Sequence, residues 1–341
     1  MKTNNDEQLA RLLPYWMPDG EGILRSGASG MNNTTRLVDS RDGRYVLRVY
    51  ETHRDESKVG FELAVLKQLN TLPLTFRVPT PVDSRSGESY IRTEDGKVAV
   101  LFRYIEGERP SLSTGVAQYS FGQTTALLTR ALEQIVTGTK PAYPPYYELD
   151  QASDVYYALS DALKFCKEPP EPFLDLAEAL GKIGDWLAAY RTRLPQLQAM
   201  PHQLIHGDLN RTNMLSAEDG RITAVLDFEF VTRDLRVMEP AVALSDLIFG
   251  DLDEEAIWPA AAAFIEGYAA EFRLSREETD VLPLLIQLRR CDVFLHFLYR
   301  YWDGIDSADI VIGQILAAKA SLDWFRQHGH RLAALCAGLS D

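Results

Sequence analysis

Apolar positions change their spacing once along this 341-residue chain, near residue 105. Before that point the pattern is short and strand-like. Tyr45-Val46-Leu47-Arg48-Val49-Tyr50 is β-branched and aromatic, and Asp42-Gly43 ahead of it predicts a turn. Lys97 to Tyr104 predicts another strand, joined to Tyr90-Ile91-Arg92 across Glu94-Asp95-Gly96 as a hairpin. Between these strands Val59, Leu63 and Leu66, with Phe61, Val65 and Leu69 on a neighbouring ridge, predict a helix over 55–70. The first hundred residues therefore read as a small antiparallel sheet with one helix.

After Glu106-Gly107-Glu108-Arg109-Pro110 the helical period dominates. Helices are predicted over 116–136, 152–165, 174–194, 239–249, 254–272, 277–302 and 309–328, with proline-rich breaks at 141–145 and 169–172. One β island interrupts them. Gln203-Leu204-Ile205 leads into a polar loop, then Met214-Leu215, a turn at Asp219-Gly220, and a strand from Ile222 to Phe228. The expected class is α+β. A β-rich lobe spans 1–105, and a mainly helical lobe with an inserted β-hairpin spans 106–341, hinged near 105–110.

Composition narrows the partners. The chain is 46% hydrophobic and 25% charged, as in an ordinary globular protein. Its 35 basic and 49 acidic residues leave a net charge of −14, which repels phosphate backbones and anionic lipid heads. Nucleic acid and membrane are therefore not expected partners. Cys166, Cys291 and Cys336 are widely spaced and form no CxxC pair, which suits a reducing, cytoplasmic setting. The polar start, with Asp6 and Glu7, has no apolar core of a signal peptide, and no apolar run is long enough to span a bilayer.

The β island carries the chemistry. It reads His206-Gly207-Asp208-Leu209-Asn210-Arg211-Thr212-Asn213-Met214-Leu215, then Val225-Leu226-Asp227-Phe228-Glu229-Phe230. An aspartate at a strand end can accept a hydroxyl proton. A nearby Asn and a second Asp are hard oxygen ligands suited to Mg2+ on substrate phosphates. Asp227 and Glu229 are two apart on the predicted strand, so both carboxylates are expected on one face, able to hold two metal ions or one metal and a support.

HGDLNRTNML followed by LDFEF resembles the catalytic and metal-binding motifs of the aminoglycoside phosphotransferase/choline kinase family, and is similar in logic to the protein-kinase elements. The resemblance covers most of the chain, lobe order included, and falls in the bacterial homoserine-kinase-like branch. It implies a protein-kinase-like bilobal fold and ATP- and Mg2+-dependent transfer of a γ-phosphate to the hydroxyl of a small polar acceptor, homoserine-, choline- or aminoglycoside-like. Asp208 would orient or deprotonate that hydroxyl. Asn213 and Asp227 would hold Mg2+, Glu229 would bind or support a second metal, and His206 would fix the loop.

The same resemblance assigns supporting parts. Gly27, Ser29, Gly30 and Asn32 lie in a small-residue stretch whose backbone N–H groups would approach phosphates. Arg48 stands where the family commonly has a strand lysine, and Glu62 on the next helix would be its ion-pair partner. Arg103, Tyr104 and Ile105 enter the connector that binds adenine through backbone groups. Arg233 to Glu239 would brace the catalytic loop. For the acceptor, Asp292, His296 and Tyr299 share a helical face. His53, His202, His328 and His330 lack clustered partners and read as surface residues. Two alternatives remain. A protein Ser/Thr kinase would need a long activation segment, for which Asp227 to Glu239 leaves no room. A nucleotide-binding pseudokinase would not need Asp208, Asn213 and Asp227 together. Position 210, Asn here and His in many relatives, keeps the second alternative open.

Overall fold

The computed structural model describes residues 2–18, 21–26, 33–51, 56–141, 143–149 and 157–340. The chain divides into two compact units. One comprises Met1–Glu108, Ile135–Ala142 and Thr223–Glu229; the other comprises Arg109–Gln134, Tyr143–Ile222 and Phe230–Asp341.

The first unit begins with α1 (Lys2–Ala10). Strands β1 (Ile23–Ser26), β2 (Asn33–Ser40) and β3 (Gly43–Tyr50) follow, then α2 (Glu56–Leu69), β4 (Pro81–Val82), β5 (Ile91–Arg92) and β6 (Val98–Arg103). The sheet order is β1-β2-β3-β6-β4, with β5 also on β6, and every pairing is antiparallel. Asp42-Gly43 makes the predicted turn, with Gly43 at φ 137. Alternation along β3 and β6 sends Leu47, Val49, Ala99 and Leu101 to one face. There they pack with Leu9, Leu13, Trp16 and Met17. The polar appearance of the N-terminal segment thus conceals four residues of this core. Arg48 and Tyr50 take the opposite face, beside Glu62 of α2.

A short later segment completes this unit. Arg77 N–H donates to Thr223 O and Val225 N–H donates to Arg77 O, each at 2.9 Å. These bonds fix the chain that leads into Asp227.

The second unit contains α3 (Gly115–Glu133), α4 (Leu159–Lys167), α5 (Ala177–Arg191), α6 (Leu194–Gln198), β7 (His202–Ile205), β8 (Met214–Ser216) and the start of β9 (Ile222–Val225). It continues with β10 (Thr232–Leu235), α7 (Met238–Phe249), α8 (Glu254–Glu271), α9 (Arg276–Trp302) and α10 (Ala308–Cys336). β7 and β10 pair antiparallel, with Ile205 opposite Thr232. The turn after β8 is closed by Ala217 N–H on Arg221 O, with Gly220 at φ 86. The helix predicted over 174–194 is broken into a 3-10 turn at Leu174–Leu176, α5 and α6, which carries Pro195 in its first turn. The helix expected to end at His328 runs on to Cys336. Ser275 and Glu278 form a reciprocal capping box at the start of α9, and Glu278 also receives the Arg236 guanidinium at 2.7 Å.

Helices α3 and α8 meet backbone to backbone. A Cβ added at Gly122 would lie 1.9 Å from Phe264 O, and one added at Gly267 would lie 2.0 Å from Tyr119 O. Gly122→Ala is expected to lower stability by about 3 kcal/mol, because neither helix can yield without repacking. Gly60→Ala, in α2 where an added Cβ meets nothing within 4 Å, serves as the control. Equal melting temperatures for the two variants would remove the packing argument.

Candidate active site

The segment after β7 is a tight loop organised by its own polar groups. His206 Nδ1 accepts from Asp208 N–H at 3.2 Å, and His206 N–H donates to the buried Glu239 carboxyl. Asn210 Oδ1 accepts from Thr212 N–H at 2.9 Å and caps the 3-10 turn Arg211–Asn213. Arg211 N–H donates to Asp246 Oδ2 at 3.0 Å. Gly207 has φ 80, and a Cβ there would come within 2.8 Å of Tyr146 Cε2 and 3.0 Å of Phe230 O, so only glycine fits.

These contacts fix Asp208. Asn213 Nδ2 donates to its backbone O at 2.9 Å and to its Oδ2 at 2.8 Å. Arg289 Nη2 donates to its Oδ1 at 2.7 Å, while Arg289 Nη1 donates to Asp292 Oδ2 at 3.0 Å. The guanidinium also lies over the Tyr146 ring, 5.4 Å from its centroid. Two carboxylates therefore share one cation. Burial pushes the Asp292 carboxyl up to about 6, partly offset by Arg289. The Asn213 nitrogen is committed to Asp208, which leaves its amide oxygen as the hard donor.

The first unit carries a constellation of its own. Arg48 Nη1 donates to Asp227 Oδ1 at 2.8 Å and lies 3.7 Å from Glu62 Oε1. Tyr50 O–H donates to Glu62 Oε2 at 2.8 Å. Burial opposes charge on Arg48, but Asp227 first, then Tyr50 and Glu62, outweigh it and hold the guanidinium protonated. Burial raises Glu62 to about 7 against the pull of Arg48. Asn33 Nδ2 donates to Glu229 Oε2 at 2.8 Å.

The sequence predicts Asp227 and Glu229 on a strand, and they do not lie on one. β9 ends at Val225, and Asp227 takes a left-handed backbone with φ 64. The alternation that would have put both carboxylates on one face therefore stops before them. Asp227 meets Arg48 and Glu229 meets Asn33.

The remaining predicted residues are more scattered. Gly27, Ser29, Gly30 and Asn32 lie outside the described residues, as does His53. Arg103 N–H donates to Thr80 O at 2.9 Å and Tyr104 N–H to Arg44 O at 3.0 Å. Arg103, Tyr104 and Ile105 line a cavity of about 300 Å3 with Asn70, Phe76 and Thr80. Asp292 is buried beside Arg289, whereas His296 is exposed and meets the Phe297 ring. Tyr299 stacks on Tyr157 at 5.5 Å, next to a groove of about 480 Å3 that Tyr157, Phe165 and Trp302 line. His202 is not a surface residue: it is half-buried, between Met200 O at 2.7 Å and Tyr147 O–H at 2.9 Å. Tyr146 left no signal in the sequence. Arg289 stands in the charged helix end that carries Asp292, three residues on, but its contact with Asp208 is not readable from spacing.

Residues 24–278 match the family model for the phosphotransferase enzyme family. The chain is 27% identical over 280 residues to a homoserine kinase of Phenylobacterium zucineum, covering 82% of this chain and 80% of that protein. It is 25% identical over 324 residues to a homoserine kinase of a Chelativorans species, covering 95% and 92%. Among solved structures, amicoumacin kinase in complex with AMP-PNP, Ca2+ and Ami superimposes with a TM-score of 0.67 at 15% identity, covering 94% and 96%. A microcompartment-associated aminopropanol kinase gives 0.64 at 19% identity, covering 98% and 99%. These likenesses establish the α+β, protein-kinase-like fold.

The carboxyls behind the loop from His206 to Asn213 set a pH dependence. Burial raises Glu239 to about 8 and Asp234 to about 7. A folded value above the unfolded one means that the fold favours the neutral acid. For Glu239 that stabilisation is complete below the ordinary carboxylate range and is lost as pH rises through about 8. Glu239→Gln keeps an acceptor for His206 N–H and removes the titration. Its melting temperature is expected to fall less than that of the wild type between pH 5 and 8.5. Parallel curves would remove Glu239 from the pH response.

Proposed function

The chain belongs to the phosphotransferase enzyme family and is a small-molecule kinase acting on a hydroxyl, and on that premise we propose that it moves the γ-phosphate of Mg·ATP to an amine-bearing alcohol of the homoserine type. The observation that carries this reading is the sharing of Arg289 by Asp208 and Asp292. Asp208 is oriented at both oxygens, by Arg289 and Asn213, as a residue that aligns an acceptor hydroxyl must be. The second carboxylate leaves this cluster one negative charge in excess, which suits an ammonium on the acceptor. The homoserine kinases among the relatives act on such a molecule by name.

Asp227 and Asn213 offer the oxygens for Mg2+. Among the described residues no group of three or more His, Cys, Asp or Glu side chains could hold a metal by itself. The Mg2+ of this proposal arrives on the nucleotide phosphates. When bound, the ion supplies charge neutralisation on those phosphates. Arg48 lies beside Asp227 and presents a second cation to them. The Ile105 N–H has no partner among the described residues and is the backbone donor proposed for adenine. Among the described residues no helix is long and apolar enough to cross a membrane. From Asp227 the chain reaches α7 at Met238 by way of β10, without the long segment that presents a peptide to a protein kinase.

The test is ADP release with Mg·ATP across homoserine, choline, ethanolamine, methylthioribose, hexosamines, aminoglycosides and a generic protein. Homoserine or a close amino alcohol is expected to give turnover, and Asp208→Asn is expected to lower kcat by about 10²–10⁴ with ATP binding retained. Turnover confined to acceptors without an amine would overturn the substrate assignment. Unchanged kcat in Asp208→Asn would overturn the role given to that residue.

A further inference from the structure

Glu229 is the acidic residue whose role the motif leaves open, and its surroundings are specific. Its Oε2 accepts from Asn33 Nδ2 at 2.8 Å across 196 residues of sequence. Both side chains are buried, with exposures of 8% and 7%. A hydrogen bond to a carboxylate out of water is stronger than one between neutral groups. Asn33 opens β2, directly after the small-residue stretch, and stands opposite Tyr50 in the sheet register.

A circuit of contacts closes from there. Tyr50 donates to Glu62, Glu62 faces Arg48, and Arg48 donates to Asp227. The segment Asp227-Phe228-Glu229 is thus held at both ends from the same sheet, with the left-handed backbone of Asp227 inside the clamp. The Asn33 amide has a second face. Its Oδ1 is buried and has no hydrogen-bond partner among the described residues. A buried acceptor left unpaired calls for a donor from outside the protein.

We propose that Asn33 and Glu229 are a positioning pair that fixes the segment carrying Asp227 to the start of β2, so that Asp227 is held in place for the nucleotide phosphates. This rests on the reading of the chain as an ATP-dependent kinase. Glu229 acts through Asn33.

The experiment measures calorimetric binding of a non-hydrolysable ATP analogue to the full chain, at fixed and at varied Mg2+, with thermal unfolding as the check on folding. Asn33→Ala and Glu229→Ala are each expected to weaken binding about tenfold, and the double variant no further than the weaker single one. The Mg2+ concentration for half-saturation stays at its wild-type value in Asn33→Ala and in Glu229→Gln. Asn33→Asp alone sets two carboxylates face to face and binds most weakly. Combined with Glu229→Gln it restores the hydrogen bond with donor and acceptor exchanged, and affinity returns to within about threefold of the wild type. The inference is overturned by additive single effects, by absence of that recovery, or by Glu229→Gln raising the Mg2+ requirement while Asn33→Ala is silent. A wild-type chain that binds no nucleotide would overturn the kinase reading itself, and the pair with it.

Discussion

The first unit is organised by one guanidinium that is largely withdrawn from water. A cation in that setting is tolerated only where carboxylates compensate it, and Arg48 has Asp227 at 2.8 Å and Glu62 at 3.7 Å. Removing one member of such a cluster strands charge on the others at a cost of about 3–5 kcal/mol, so its members are mutually dependent. Glu62 ties α2 to the sheet through Arg48 and through Tyr50. Asp227 is pinned while its backbone occupies a region that few side chains tolerate. Both carboxylates face the same nitrogen, Nη1, so the guanidinium serves them as one shared charge.

The second unit solves a different problem. The loop from His206 to Asn213 has backbone N–H groups to satisfy, and acids behind it receive two of them. Glu239 receives His206 N–H and Asp246 receives Arg211 N–H, while Asp234 receives the N–H of Tyr146, whose ring lies under Arg289. Burial drives Glu239 and Asp234 towards the neutral form, in which they still accept hydrogen bonds without adding charge near Asp208.

Legibility in the sequence followed chain distance. The loop from His206 to Asn213 was readable because its polar groups bond mainly to one another, so order and spacing carry the geometry. Strands β3 and β6 and helix α9 were readable from periodicity for the same local reason. Contacts across long separations left no local signal. Nothing in the spacing links Asn33 with Glu229, or Asp208 with Arg289, because the fold alone makes them neighbours. The N-terminal segment gave no element in the sequence, because the residues it adds to the core, Leu9, Leu13, Trp16 and Met17, are too few in a largely polar stretch for a periodic pattern. The strand expected through Glu229 failed at Asp227, where a single left-handed residue ends the alternation.

The sharing of one arginine by two carboxylates also bears on how a turnover ends. In the proposed reaction the acceptor arrives carrying an ammonium and leaves carrying a phosphoryl group. An acidic pocket that attracts the first repels the second, and the repulsion is strongest at short range in a weakly screened setting. The excess negative charge therefore works in one direction on entry and in the other on exit. In that proposed reaction the product keeps the ammonium and gains a phosphoryl group, so the same carboxylates hold it less tightly than the acceptor.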